Sequence, residues 1–164
     1  EQLRAIALAG SGETIPTLRE ALDLVGGKVP LLVEIKTRRE TRVPALCLSV
    51  RRVLEGYLGP HAVISFDPRV AHWFARHSPL TVRGLTITED SNLTLAVRIK
   101  RRLALWHARP DIVCYDLRDL PSRFAAAQRR RGLPLVTWTA HTAEQRAKAA
   151  DLADAVIAEG GGIA

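Results

Sequence analysis

Val29-Pro30-Leu31-Leu32-Val33-Glu34-Ile35-Lys36 is an apolar run of strand length that turns charged only towards its end. Taken as a strand over Leu31 to Lys36, it is apolar on entry and polar at its C-terminal end. The same layout returns at Ala62 to Asp67, Val82 to Thr88, Asp111 to Leu117, Leu133 to Thr139 and Asp154 to Glu159. Between these runs the apolar period changes from that of a strand to that of a helix, which is the pattern of a parallel α/β sheet.

The intervening helices carry their own start and stop signals. Thr17-Leu18-Arg19-Glu20 spells a capping box, with Leu18, Ala21, Leu22 and Val25 on one face and Gly26-Gly27 as the stop. Leu46, Val50, Val53, Leu54 and Tyr57 follow at helical spacing before Gly59-Pro60. Asp67-Pro68 sets a capping carboxylate before a proline at the first helical position, opening a helix with Val70, Trp73 and Phe74. Asn92 to Trp106 reads as helical, as does Pro121 to Arg131 with its stop at Gly132, and Thr142-Ala143-Glu144-Gln145 spells a second capping box.

The 164 residues are 47% hydrophobic and 25% charged, ordinary composition for one globular domain and incompatible with disorder as the main state. Cys47 and Cys114 form no C-x-x-C pair or disulfide framework and read as buried small hydrophobes. No stretch approaches a membrane span, and Glu1 to Gly10 lack a signal peptide's layout. The chain contains no methionine, so it is expected to be a processed or truncated piece, and any address at the true N-terminus is out of sight. A cytoplasmic, bacterial setting is the expectation.

The net charge of +7 invites a nucleic-acid or anionic-membrane reading. The basic runs, Arg38-Arg39, Arg51-Arg52, Lys100-Arg101-Arg102 and Arg129-Arg130-Arg131, are scattered and fall mostly on outer faces and ends of helices. They read as solvated surface, where cations near helix C-termini are favoured by the backbone dipole. Residues 1–164 then form a single domain or part of one: an open doubly wound sheet, or six eighths of a (β/α)8 barrel, whose full form takes about 250 residues. No G-x-G-x-x-G or P-loop follows a strand, which weakens a nucleotide-binding version.

Ile15-Pro16-Thr17-Leu18-Arg19-Glu20-Ala21-Leu22, Val29 to Lys36, Ser65-Phe66-Asp67-Pro68 and Gly132-Leu133-Pro134-Leu135-Val136-Thr137-Trp138-Thr139 resemble, in that order, motifs of the glycerophosphodiester phosphodiesterase family. The resemblance implies a (β/α)8 TIM barrel, present here as about six β/α units equivalent to strands three to eight. The domain at 1–164 would then be incomplete and lack the first two strands. It implies metal-dependent hydrolysis of a glycerophosphodiester to glycerol 3-phosphate and an alcohol. A divalent cation, Mg or Ca, would be the cofactor and a small-molecule diester the partner, with no nucleic acid and no stable membrane insertion. In that family the catalytic histidines and two of three metal carboxylates precede the region matched here, so no catalytic residue is expected in this chain.

Glu34 is the foremost candidate. An ionised carboxylate at the C-terminal end of a buried parallel strand is costly unless it is paired or bound to a cation, and barrel enzymes keep their sites at that end. The resemblance makes Glu34 a metal ligand; the alternative is pairing with a basic neighbour. Lys36, two residues on and on the same face, suits a phosphodiester oxygen as a point charge, or is an ordinary strand-end lysine. Trp138 is an aromatic wall for an alcohol moiety or a core residue, alternation placing it on the opposite face from Thr137 and Thr139. Phe66 is a weaker version of the same idea, and Ser65 weaker again. Asp116 either orients a substrate hydroxyl or caps the following segment. Of the five histidines, His61 is expected at the barrel bottom, His72 and His77 on the helix after Asp67, and His107 at a helix end; His141, in the loop before a helix cap, is the one that could face the site, and none is expected to be the family's acid or base. Rival readings are a non-catalytic barrel relative and a basic module for nucleic acid or anionic membrane. The chain by itself is expected to be inactive, weakly metal-binding and open at two sheet edges.

Overall fold

The computed structural model describes residues 6–8, 12–89 and 94–163. Helix α1 (Leu18–Val25) leads to strand β1 (Leu31–Glu34), followed by α2 (Val43–Leu54), β2 (His61–Ser65), α3 (Pro68–His77), β3 (Val82–Ile87), α4 (Leu95–Ala108) and β4 (Ile112–Asp116). A 3-10 turn at Leu117–Asp119 precedes α5 (Arg123–Arg130), β5 (Leu135–Ala140), α6 (Ala143–Leu152) and β6 (Ala155–Ala158). The expected start of α4 at Asn92, and part of the stretch Glu1 to Gly10, lie outside the described residues. No helix among the described residues is long and apolar enough to cross a membrane.

All six strands are parallel, and their spatial order is their order in sequence. A doubly wound sheet reverses its order at a switch point; an unbroken succession with every helix on one face is the wall of a barrel. Two apolar clusters show that one-sidedness. Leu31, Val33, Ile35 and Val63 pack with Leu22 of α1, Cys47 of α2 and Phe74 of α3. Leu85, Ile87, Val113, Tyr115 and Leu135 pack with Ala108 of α4, Ala125 of α5 and Ala149 of α6. Strand alternation then assigns Leu32, Glu34, Ala62, Ile64, Gly84, Thr86, Cys114, Asp116, Val136 and Trp138 to the concave inner face.

Local signals account for the helix starts. At Thr17 the capping box is complete, its hydroxyl accepting from Glu20 N–H and the Glu20 carboxylate accepting from Thr17 N–H at 2.7 Å. The Asp67 carboxylate caps α3 ahead of Pro68. The second box is displaced: Thr142 accepts from Gln145 N–H, but the Gln145 side chain accepts from His141 N–H, one residue before the cap. Cys47 and Cys114 are buried and unpaired as expected, and burial first, then a neighbouring carboxylate, pushes their thiols up to about 11 and about 12.

Two expectations need correction. β1 is not buried on both faces, because none of the described residues covers its concave side: Leu32 is 39% exposed and the Glu34 side chain 33%. The cost of a buried charge therefore says little about Glu34. Alternation also fails beyond Trp138. Leu135 and Ala140 both lie in the helix-side cluster although they are five positions apart, an offset that strict alternation would put on opposite faces. A register shift between Thr137 and Ala140 absorbs the extra residue.

At the opposite end of the sheet the turns after α1 and α2 touch. Tyr57 hydroxyl accepts from Gly27 N–H at 3.1 Å, and a Cβ on Gly59 would lie 2.6 Å from Gly27 Cα and 2.5 Å from the Tyr57 ring. Gly59→Ala is expected to destabilise the chain by about 1–3 kcal/mol in urea denaturation, through backbone displacement. An unchanged midpoint would show that the two turns separate freely.

Candidate active site

The C-terminal ends of the strands bring the anticipated residues together. Glu34 ends β1 and Lys36 lies just beyond it, their charged groups 3.8 Å apart with the Lys36 side chain 82% exposed. Phe66, just past β2, shares with them a pocket of about 250 Å³ that Thr37 and Ser65 also line. Phe66 meets Trp138 of β5 edge to face, with ring centroids 5.8 Å apart and planes at 85°. Two strands separate β2 from β5, so this contact crosses the hollow of the curved sheet. Carboxylate, ammonium and two aromatic rings thus form one continuous strip along the mouth.

Two buried polar atoms on the inner face, Thr86 Oγ1 and Trp138 Nε1, have no hydrogen-bond partner among the described residues. Thr86 was not anticipated. In Val82-Arg83-Gly84-Leu85-Thr86-Ile87 a threonine is simply a good strand former, and nothing local marks its hydroxyl as unpaired.

Other residues are engaged elsewhere. Ser65 donates to Ile35 carbonyl at 2.6 Å and accepts from Asp67 N–H, which ties β2 to the end of β1. The Asp116 carboxylate takes the capping role: it accepts from Arg118 N–H at 2.9 Å and pairs with the Arg118 guanidinium at 2.6 Å. Asp67 does the same with Arg69, at 2.7 Å, and also accepts from Thr37 hydroxyl. His61 bonds Gly59 carbonyl, while His72 stacks on His107 at 4.1 Å behind the sheet. His141 lies 3.2 Å from Glu159 in a solvated pair. Glu159 follows β6 without any motif to recommend it, so only the structure shows this contact.

Side-chain hydrogen bonds from Arg118, outweighing burial, hold Asp116 below the ordinary carboxylate range. Burial pushes Asp67 up, but hydrogen bonds from Arg69 and Thr37 and the Arg69 charge carry it below that range too. Both groups bind protons more weakly folded than unfolded. Their stabilising contribution is present above the ordinary carboxylate pKa near 4 and is lost as pH falls through the depressed folded values. The thermal midpoint should therefore fall steadily as pH is lowered from about 5 to 2.5. Asp67→Asn/Asp116→Asn should flatten that fall, and an unchanged slope would assign acid lability to other groups.

Among the described residues no cluster of three or more His, Cys, Asp or Glu side chains is placed to hold a metal ion. Glu34 supplies one carboxylate, with a competing ammonium beside it. Hard divalent cations take 6–8 oxygens for Ca and near-octahedral oxygen coordination for Mg. The described residues do not by themselves fit such a cation.

The architecture is that of several solved enzymes. A phosphodiesterase of Oleispira antarctica, solved with the product sn-glycerol-3-phosphate, is 19% identical with TM-score 0.73, over 90% of this chain and 58% of its own. A glycerophosphodiester phosphodiesterase from Parabacteroides distasonis is 16% identical with TM-score 0.72, over 96% of this chain and 65% of its own. One from Thermotoga maritima is 18% identical with TM-score 0.67, over 93% and 63%. The chain thus spans less than two thirds of the length of these three structures. No family model and no curated protein sequence matches it.

These likenesses define the class as an α/β chain of six parallel units with the fold of part of a glycerophosphodiester phosphodiesterase barrel. The particular fold within that class is its six-strand wall, with the mouth strip of Glu34, Lys36, Phe66 and Trp138 on the hollow side.

Proposed function

We propose that the protein carrying this chain hydrolyses a small-molecule glycerophosphodiester to glycerol 3-phosphate and an alcohol. The observation that carries the reading is the strip in which Glu34 and Lys36 adjoin Phe66, itself edge to face with Trp138, at the end of the barrel wall where such enzymes keep their sites. Each element suits one part of a diester. The Lys36 ammonium, exposed and held near Glu34, places a positive charge against a non-bridging phosphoryl oxygen, where charge accumulates as the phosphorus is attacked. The two rings offer an apolar wall to the glycerol carbons. The unpaired indole N–H of Trp138 and hydroxyl of Thr86 are donors without acceptors, suited to an oxygen-rich ligand that fills the hollow. If a Mg or Ca ion is bound here, Glu34 would be the carboxylate that holds it, and further oxygen donors would be needed.

The intact protein should release glycerol 3-phosphate from glycerophosphocholine or a related diester, in a chelator-sensitive way. Lys36→Ala should lower kcat by about 10²-fold, because its charge acts on the phosphoryl group. Trp138→Ala should raise KM more than it lowers kcat, because the wall binds a part of the substrate that does not react. Turnover confined to an unrelated substrate class, or a Lys36→Ala variant of full activity, would defeat the reading.

A further inference from the structure

Among the described residues, helix α4 presents an apolar stripe to solvent with nothing packed on it. Leu95, Ile99, Leu103 and Trp106 recur at spacings of four, four and three residues and lie on one face. Leu95 is 70% exposed and Trp106 72%, with Ile99 and Leu103 about half exposed or more. On the opposite face Ala108 is buried against the sheet with Leu105 and Ala104 packed beside it, so the helix is seated and the stripe is left over. Arg98 and Arg102 flank the stripe on one side and Lys100 on the other, and neither α4 nor α5 contains an acidic residue. The groove between these helices, about 940 Å³, is walled by Arg98, Arg102, Arg109, Arg123 and Arg131; Glu89 and Asp119 also line it, Glu89 being paired with Arg101, so arginines outnumber carboxylates there.

We propose that α4 and the α4–α5 groove dock on an anionic lipid surface. The stripe would sink into the acyl boundary and the arginines would lie among the headgroup phosphates. A basic helix with leucine, isoleucine and tryptophan on its other face is the form that binds in the plane of a membrane without crossing it, and each nearby Lys or Arg adds attraction to anionic lipid. Other occupants fit less well. Bases stack on aromatic rings, and three of the four stripe residues are aliphatic, which disfavours nucleic acid. A second copy brought face to face would set Arg98 and Arg102 against their own counterparts. Further β/α units would extend the wall at its open edges, β1 and β6, whereas α4 lies behind the middle of the sheet between β3 and β4.

The test is flotation of the chain with vesicles of phosphatidylcholine alone and of phosphatidylcholine mixed with phosphatidylglycerol, with Trp106 emission followed in parallel. The chain should float with the mixed vesicles, bind far less to the neutral ones, and lose binding as salt is raised. Ile99→Glu/Leu103→Glu should weaken partitioning at least about tenfold with unchanged circular dichroism, and so should Arg98→Glu/Arg102→Glu. A blue shift of emission on mixed vesicles should vanish in Trp106→Phe. Absence of binding to the mixed vesicles would overturn the proposal, as would equal binding by a folded Ile99→Glu/Leu103→Glu variant. Binding of single-stranded RNA, or self-association relieved by Leu103→Glu, with no vesicle binding in either case, would overturn it in favour of those partners. None of these readouts depends on diesterase activity.

Discussion

Residues 1–164 expressed alone should release no glycerol 3-phosphate from glycerophosphocholine above background. Among the described residues the mouth brings together one carboxylate, one ammonium and two aromatic rings, with no histidine beside them. Four of the five histidines lie away from the mouth or serve the backbone, and His141 is paired with Glu159. Acid–base proton transfer contributes roughly 10²- to 10⁴-fold in rate, so the loss should place turnover below detection. Calorimetry should likewise show only weak binding of Mg or Ca, since Glu34 alone cannot replace the hydration shell of a hard dication. The open sheet should also make the chain prone to concentration-dependent association, because β1 and β6 are each paired on one side only among the described residues. Turnover matching the intact protein, or low-micromolar metal binding abolished by Glu34→Ala, would show that these residues are sufficient.

Glu89→Ala should be strongly destabilising, costing about 3 kcal/mol and lowering the thermal midpoint by about 10 °C. The Glu89 carboxylate accepts hydrogen bonds from the Tyr115 hydroxyl and from Ser122 at 2.5 Å, and it pairs with Arg101 at 2.8 Å. The Arg101 side chain is 13% exposed and its guanidinium lies 4.1 Å over the Phe124 ring. Removing the carboxylate strands a positive charge and a phenol where water scarcely reaches. Burial acts to raise the Glu89 pKa, yet the bonds from Ser122 and Tyr115 and the Arg101 charge hold it below the ordinary range, so the pair stays ionised at neutral pH. Glu89→Gln, which keeps an acceptor but loses the charge, should cost less. A loss under about 0.5 kcal/mol for Glu89→Ala would show that water replaces the cluster without penalty.

Much of the candidate site was legible because its residues sit at strand ends, where an apolar run turning polar marks the C-terminal face. Glu34, Lys36, Phe66 and Trp138 were all accessible on that ground. Thr86, the His141–Glu159 contact and the Glu89 cluster were not, because each becomes notable only through a partner, or the lack of one, in a different segment.

The sequence by itself determined the six alternating units, their parallel sense and most helix starts, since apolar period and capping act over a few neighbouring residues: Thr17 with Glu20, Asp67 with Pro68. It left open whether those units make a doubly wound sheet or a barrel wall. That choice lies in which strand pairs with which, and β-pairing energies do not depend on the order of strands along the chain. Only the tertiary structure decided that β1 to β6 succeed one another without reversal, that Glu34 faces an open hollow, and that Trp138 reaches Phe66 across two strands. It also decided the register shift after Thr137, which no local pattern announces because the threonines and alanine at that point suit either face. Curvature and register arise from the whole sheet packing against its helices, and those interactions join residues that are distant in the chain.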